Sequence, residues 1–104
     1  MALTAYWTQF AEDKLEDVYS YYSKKASEKV ALRLVDGIIA KSLELERNPL
    51  IGQKEFLLAD RPQEFRYLVF KNFKIIYFVN RTKQRIDVVN LIDCRQNPET
   101  VNEI

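Results

Sequence analysis

The chain has no histidine, one cysteine and only two glycines among its 104 residues. Without histidine it lacks the side chain that most often moves protons or holds metals near neutral pH. The lone Cys94 excludes an internal disulfide and, with no histidine beside it, an ordinary structural zinc site. That pattern suits the cytoplasm, and it predicts a protein with neither metal nor cofactor. Two glycines make no phosphate-cradling loop, and no HExxH spacing occurs. Any catalysis would have to use Lys, Arg, Tyr, Asp, Glu or Ser, and the serines fall in segments that read as helix with no motif around them. No apolar run approaches the ~20 residues that span a bilayer. The opening Met1-Ala2-Leu3-Thr4-Ala5-Tyr6-Trp7 has no basic stretch before an apolar one, so neither an export signal nor a membrane contact is expected.

What is present is the composition of a folded domain, 47% hydrophobic and 30% charged. The length suits one unit, 1–104, with a single two-layer core. The net charge of +1 is too mild to point to nucleic acid, but its distribution is uneven. Met1 to Gly52 carries 7 basic against 8 acidic residues, net −1, whereas Arg66 to Arg95 carries 7 against 2, net +5. Positive charge gathers toward the end of the chain.

Leu3 to Trp7 suits a strand, after which Thr8 can cap a helix over about Gln9 to Ser23 with Ala11, Leu15, Val18 and Tyr22 on its apolar face. A polar break, Lys24 to Ser27, precedes a second and more buried helix. Its apolar face would be Val30, Leu34, Ile38 and Leu45, widened by Val35, Ile39 and Leu43, and Asn48-Pro49 would end it. Gln53 to Gln63 shows no periodicity. Three strand-like runs follow, Glu64 to Lys71, Phe73 to Asn80 and Arg85 to Asp93, joined by links so short that neighbours must be antiparallel. Phe73, Ile75, Tyr77 and Val79 alternate onto one face, and Cys94 is expected to be buried with the last strand. The predicted class is α+β in the order β-αα-βββ, a helical hairpin on one face of a mainly antiparallel sheet.

Chemistry concentrates in the meander. Arg66, Lys71, Lys74 and Arg95 stand among Phe65, Tyr67, Phe70, Phe73 and Tyr77, a mixture that can hold phosphates and stack bases. Alternation assigns most of the aromatics to the core. Arg95 differs, because Arg95-Gln96-Asn97-Pro98 lies where the chain leaves the last strand and side chains of several strands can converge. Candidate contact residues for a partner or nucleic acid are therefore Lys71, Tyr67 and Asn97, beside the cations. Asp93 reads as a structural partner for an arginine.

Taken together, Asn48-Pro49-Leu50-Ile51-Gly52, Phe65-Arg66-Tyr67-Leu68-Val69, Phe73-Lys74-Ile75-Ile76-Tyr77-Phe78-Val79 and Asp93-Cys94-Arg95-Gln96-Asn97-Pro98 resemble, in order and spacing, the RelE/ParE superfamily of bacterial toxins. The resemblance covers nearly the whole chain. It implies the toxin half of a type II toxin-antitoxin module of the plasmid-stabilisation type, neutralised by a cognate antitoxin whose C-terminal segment wraps it. RelE-like members cut mRNA in the ribosome and ParE-like members inhibit DNA gyrase, on similar folds. In the nuclease branches basic residues lie on these strands and an arginine follows the last one, and Arg66, Lys74 and Arg95 occupy such places. Their implied catalytic role is to hold phosphate and stabilise transition-state charge. The Tyr or His-Tyr pair that nuclease members place after that arginine is missing, since the chain continues Gln96-Asn97-Pro98-Glu99. Three expectations stand side by side: a ribosome-dependent endoribonuclease, a non-catalytic gyrase inhibitor, and a decayed member acting as a small interaction domain.

Overall fold

The structure, a computed structural model, describes residues 3–94. Strand β1, Thr4–Trp7, runs into helix α1, Gln9–Lys25. Thr8 is the hinge between them. Its amide donates to the Val88 carbonyl at 3.0 Å, and its hydroxyl accepts from the Ala11 amide at 3.2 Å, capping the helix. The expected face of α1 is borne out, with Ala11 fully buried and Leu15, Val18 and Tyr22 packed on the core. The helix runs two residues beyond Ser23, through Lys25, because Lys24 and Lys25 suit a C-terminal turn and the Ala26 amide still reaches the Tyr22 carbonyl. Ser27 then caps α2, Glu28–Leu43, by accepting from the Val30 amide.

Helix α2 differs from expectation in its phase. Ile38 is buried and Leu34 partly so, but Val30 is 38% exposed and its place in the core is taken by Ala31. Leu45 is buried from a 3₁₀ turn, Glu44–Glu46, that tightens the end of the helix. Close packing against α1 and the sheet selects the small residues Ala31 and Ser42, and this rotates the flank of Leu32, Ile39 and Leu43 into solvent. The second helix is still the more enclosed of the two, burying Ala31, Ile38 and Ser42 where α1 buries Ala11 alone. Ser42 holds the helix to the first strand by accepting from the Trp7 indole N–H at 3.2 Å. The Glu46 carboxylate accepts from the Ala5 amide at 2.7 Å, satisfying an outward-facing group of the edge strand.

The sheet has five strands in the order β1-β5-β4-β3-β2. Strands β3, Arg66–Phe70, β4, Phe73–Asn80, and β5, Arg85–Asp93, are the three expected runs and pair antiparallel. The first strand pairs parallel to the last, Thr4 opposite Arg85 and Trp7 opposite Val88. Strand β2, Gln53–Lys54, lies in the segment expected to be irregular and extends the sheet antiparallel to β3. A bulge in β4–β5, where the pairing steps from Ile76 opposite Asn90 to Tyr77 opposite Val88, reverses the alternation of β5. Ile86 and Val88 thus share the helix side with Leu91.

The bulk of the core lies between helices and sheet, around Phe73, Ile75, Tyr77, Leu68 and Ile38. Val79, expected on that face, is only half-buried at the strand end. A second, smaller core covers the opposite face, where Leu58, Phe65, Ile76 and Ile92 pack with Tyr67, Phe78 and Val89. It is roofed by the 53–65 segment through a 3₁₀ turn, Phe56–Leu58. No helix among the described residues is long and apolar enough to cross a membrane.

Candidate functional site

Arg66 and Tyr77 face each other across β3 and β4, on the helix side of the sheet. Both reach the same glycine. The Tyr77 hydroxyl accepts from the Gly52 amide at 2.9 Å, while the Arg66 guanidinium donates to the Gly52 carbonyl at 2.8 Å and to the Leu50 carbonyl at 3.2 Å. Its remaining nitrogens bind the Glu64 carboxylate at 2.8 and 3.1 Å. This arginine, only 15% exposed in its side chain, clamps the turn after the helical hairpin onto the sheet. Its hydrogen bonds hold the Glu64 carboxyl below the usual range, with Lys54 adding to the effect. Burial pushes the Tyr77 phenol above its usual value, against the pull of the Gly52 hydrogen bond.

Lys74 lies opposite Val69, three residues along from Arg66, and therefore on the other face of the pleat. Its ammonium sits 3.0 Å from Glu55 and 4.1 Å from the centre of the Tyr67 ring. Glu55, with a side chain only 4% exposed, also accepts from the Leu57 amide at 3.2 Å, so the Lys74–Glu55 pair anchors the 3₁₀ turn that roofs the second core. That turn presents Phe56, 80% exposed, and Leu57. Tyr67 donates its hydroxyl to Gln53 at 2.9 Å.

The structure thus brings Lys74 and Tyr67 together and places Arg66 away from them, on the opposite face. Lys71 occupies the β3–β4 turn with φ of 53°, its ammonium 5.8 Å from the Phe70 ring centre. Asn72 beside it ties that turn to the end of β5, donating to Asp93 at 3.0 Å and accepting at its carbonyl from the Cys94 amide. Cys94, expected to be buried, is exposed, one position past the end of β5 at Asp93. Its thiol is nonetheless pushed up, chiefly by desolvation, so it carries no ready thiolate. Arg95 and Asn97 lie outside the described residues. No cluster of groups able to hold a metal ion occurs among the described residues.

Sequence reasoning missed Glu55, Phe56 and Leu57. Their one signal was an acidic residue directly before an apolar triplet, which fits a cap on a very short turn. Of the exposed flank Leu32, Ile39 and Leu43, Ile39 and Leu43 were assigned to the apolar face of the helix and Leu32 was not singled out.

The architecture is that of a small α+β domain whose exposed apolar and cationic groups lie on its outer surfaces. It is shared by a solved structure described as the chromosomal ParDE TA system from P. aeruginosa. The two superpose with a TM-score of 0.73 over 88% of this chain and 96% of that one, at 19% sequence identity. Among curated proteins none matches the chain by sequence. The model of the family described as the ParE toxin of the type II toxin-antitoxin system, parDE, matches residues 5–98. The chain belongs to that family.

Proposed function

We propose that this protein is the toxin of a type II toxin-antitoxin pair, that it arrests growth by binding DNA gyrase without catalysis, and that a cognate antitoxin neutralises it. One observation carries the choice of target. Of the three cations expected to hold phosphate, the two within the described residues are committed elsewhere, Arg66 to two carbonyls and Glu64, Lys74 to Glu55. They also point to opposite faces, so they do not form one phosphate-binding and charge-stabilising site. A protein inhibitor needs no such convergence, only an anchored surface. Phe56 and Leu57, held by the Lys74–Glu55 pair, supply an apolar anchor with Tyr67 beside that pair, and Lys71, Arg95 and Asn97 remain contact candidates from the sequence.

Production of the chain alone in bacterial cells is expected to stop growth with induction of the SOS response and gyrase-linked DNA breaks. Codon-linked mRNA cuts without that response would move the target to the ribosome. Unimpaired growth with soluble protein present would overturn the toxin reading and favour a decayed member.

The antitoxin would seat on the outward flank of α2, where Leu32, Ile39 and Leu43 repeat at helical spacing in solvent. Leu32→Asp with Ile39→Asp is expected to leave the fold and growth arrest intact while weakening the antitoxin by at least about 100-fold. Pull-down with the partner encoded beside the toxin checks this, and undiminished capture would remove α2 from the interface.

A further inference from the structure

The chain turns from β4 into β5 at Arg81-Thr82-Lys83-Gln84, and Arg85, opposite Asn80 in the ladder, opens the returning strand. Three cations, Arg81, Lys83 and Arg85, therefore gather at the end of β4 remote from Lys71.

A buried carboxylate organises them. Asp87, 5% exposed, accepts from the Arg85 Nε at 2.6 Å and from the Asn80 side-chain amide at 3.0 Å. The Asn80 side-chain oxygen accepts in turn from the Lys83 backbone amide at 3.1 Å. Gln84, with φ of 55°, braces the other side by donating its side-chain amide to the Arg81 carbonyl at 3.0 Å. The Arg85 guanidinium stacks 3.9 Å from the centre of the Tyr6 ring. Groups fixed in this way before a ligand arrives lower the ordering cost of binding it.

Their charge is not spent within the fold. Among the described residues Arg81 and Lys83 have no ion-pair partner, and Arg85 gives Asp87 only its Nε, leaving both terminal nitrogens over. Glu64, the acid lining the adjoining groove, is engaged by Arg66 and Lys54.

We infer that this hairpin tip docks on the phosphate backbone of a nucleic-acid double helix. What the tip lacks selects that ligand. Asn80 to Gln84 include no apolar residue, whereas protein interfaces are anchored by buried apolar and aromatic side chains. Single strands are held by stacking bases on open rings, and the ring beside these cations, Tyr6, already has Arg85 on it. A duplex backbone needs only well-placed cations, which neutralise phosphates without reading bases. Such docking requires no catalytic convergence and does not depend on gyrase being the target.

The test is fluorescence anisotropy of the full chain with short DNA and RNA duplexes over a range of salt. Saturable binding is expected at low salt. Three neutralised phosphates give a slope of log K against log salt of about −2.7, a loss of roughly 40-fold between about 50 and about 200 mM. Arg81→Gln with Lys83→Gln, both at exposed positions, should reduce the slope to about −0.9 and the loss to roughly fourfold. Lys29→Gln with Arg33→Gln, an equal loss of charge on the exposed side of α2, should leave the slope unchanged. Binding of either duplex in this pattern supports the inference, and the tighter one identifies the source of the phosphates. No binding at low salt, equal effects of the two double variants, tighter binding of a single strand, or displacement of the duplex by polyglutamate at equal charge concentration would each overturn it.

Discussion

Replacing Gly52 with alanine is expected to cost the fold about 3 kcal/mol, or roughly 15 °C in melting temperature. The glycine is not required by its backbone angles, since no glycine in the described chain has a positive φ. It is required by space. A Cβ would lie 2.6 Å from the Tyr77 hydroxyl and 2.7 Å from the Tyr67 carbonyl. The phenol could turn aside by giving up its hydrogen bond, but the carbonyl belongs to β3 and cannot move without distorting the sheet. Tyr77→Phe in the Gly52→Ala background should therefore recover only part of the loss. Urea unfolding of the three variants checks this, and a shift below about 1 kcal/mol for Gly52→Ala would refute the steric argument.

The same tyrosine sets an alkaline limit. Its folded-state pKa is raised by burial, so the folded protein keeps a proton that the unfolded chain releases. The contribution is fully present below the unfolded pKa and is lost as pH rises through the folded one. Tyr77→Phe, although less stable at neutral pH, should show a smaller decline as pH rises from the unfolded pKa to the folded one, read by urea unfolding across that range.

Lys74→Met is expected to destabilise by about 2 kcal/mol, less than breaking a fully buried pair costs, because the lysine is itself 24% exposed. What remains is a Glu55 carboxylate out of water, accepting from the Leu57 amide. Adding Glu55→Gln should restore most of the stability, and the double-mutant cycle gives the coupling. The pair also separates two roles for the lysine. If Lys74 positions the Phe56 turn, the double variant regains growth arrest along with stability. If Lys74 touches phosphate, stability returns and arrest does not.

The meander was legible because its strands alternate cleanly and its links are too short for anything but hairpins, and the limits of β4 and β5 fell on the expected residues. The helical hairpin was legible from the Thr8 cap, the polar break at Lys24 to Ser27 and Asn48-Pro49. The phase of α2 was not. An apolar residue at helical spacing reads the same whether its flank meets the sheet or water, and the fully buried Ala31 and Ser42 carry little hydrophobic signal of their own. Nor could a sequence show that Arg66 spends its donors on Gly52 and Leu50, because those carbonyls come near only when the turn folds onto β3. The 53–63 segment hid its order for a related reason. A two-residue strand and a single turn are too short for any period to develop.

The pairing of Thr4–Trp7 with Arg85–Val88 has a consequence for synthesis. The opening strand has no sheet to join until the closing strand leaves the ribosome, an interval on the order of ten seconds at ordinary elongation rates. Strand pairings of such long sequence separation also form slowly once the chain is complete. Until then the helical hairpin stands ready while the sheet it packs on is unfinished, so its apolar faces are open to whatever meets the nascent chain.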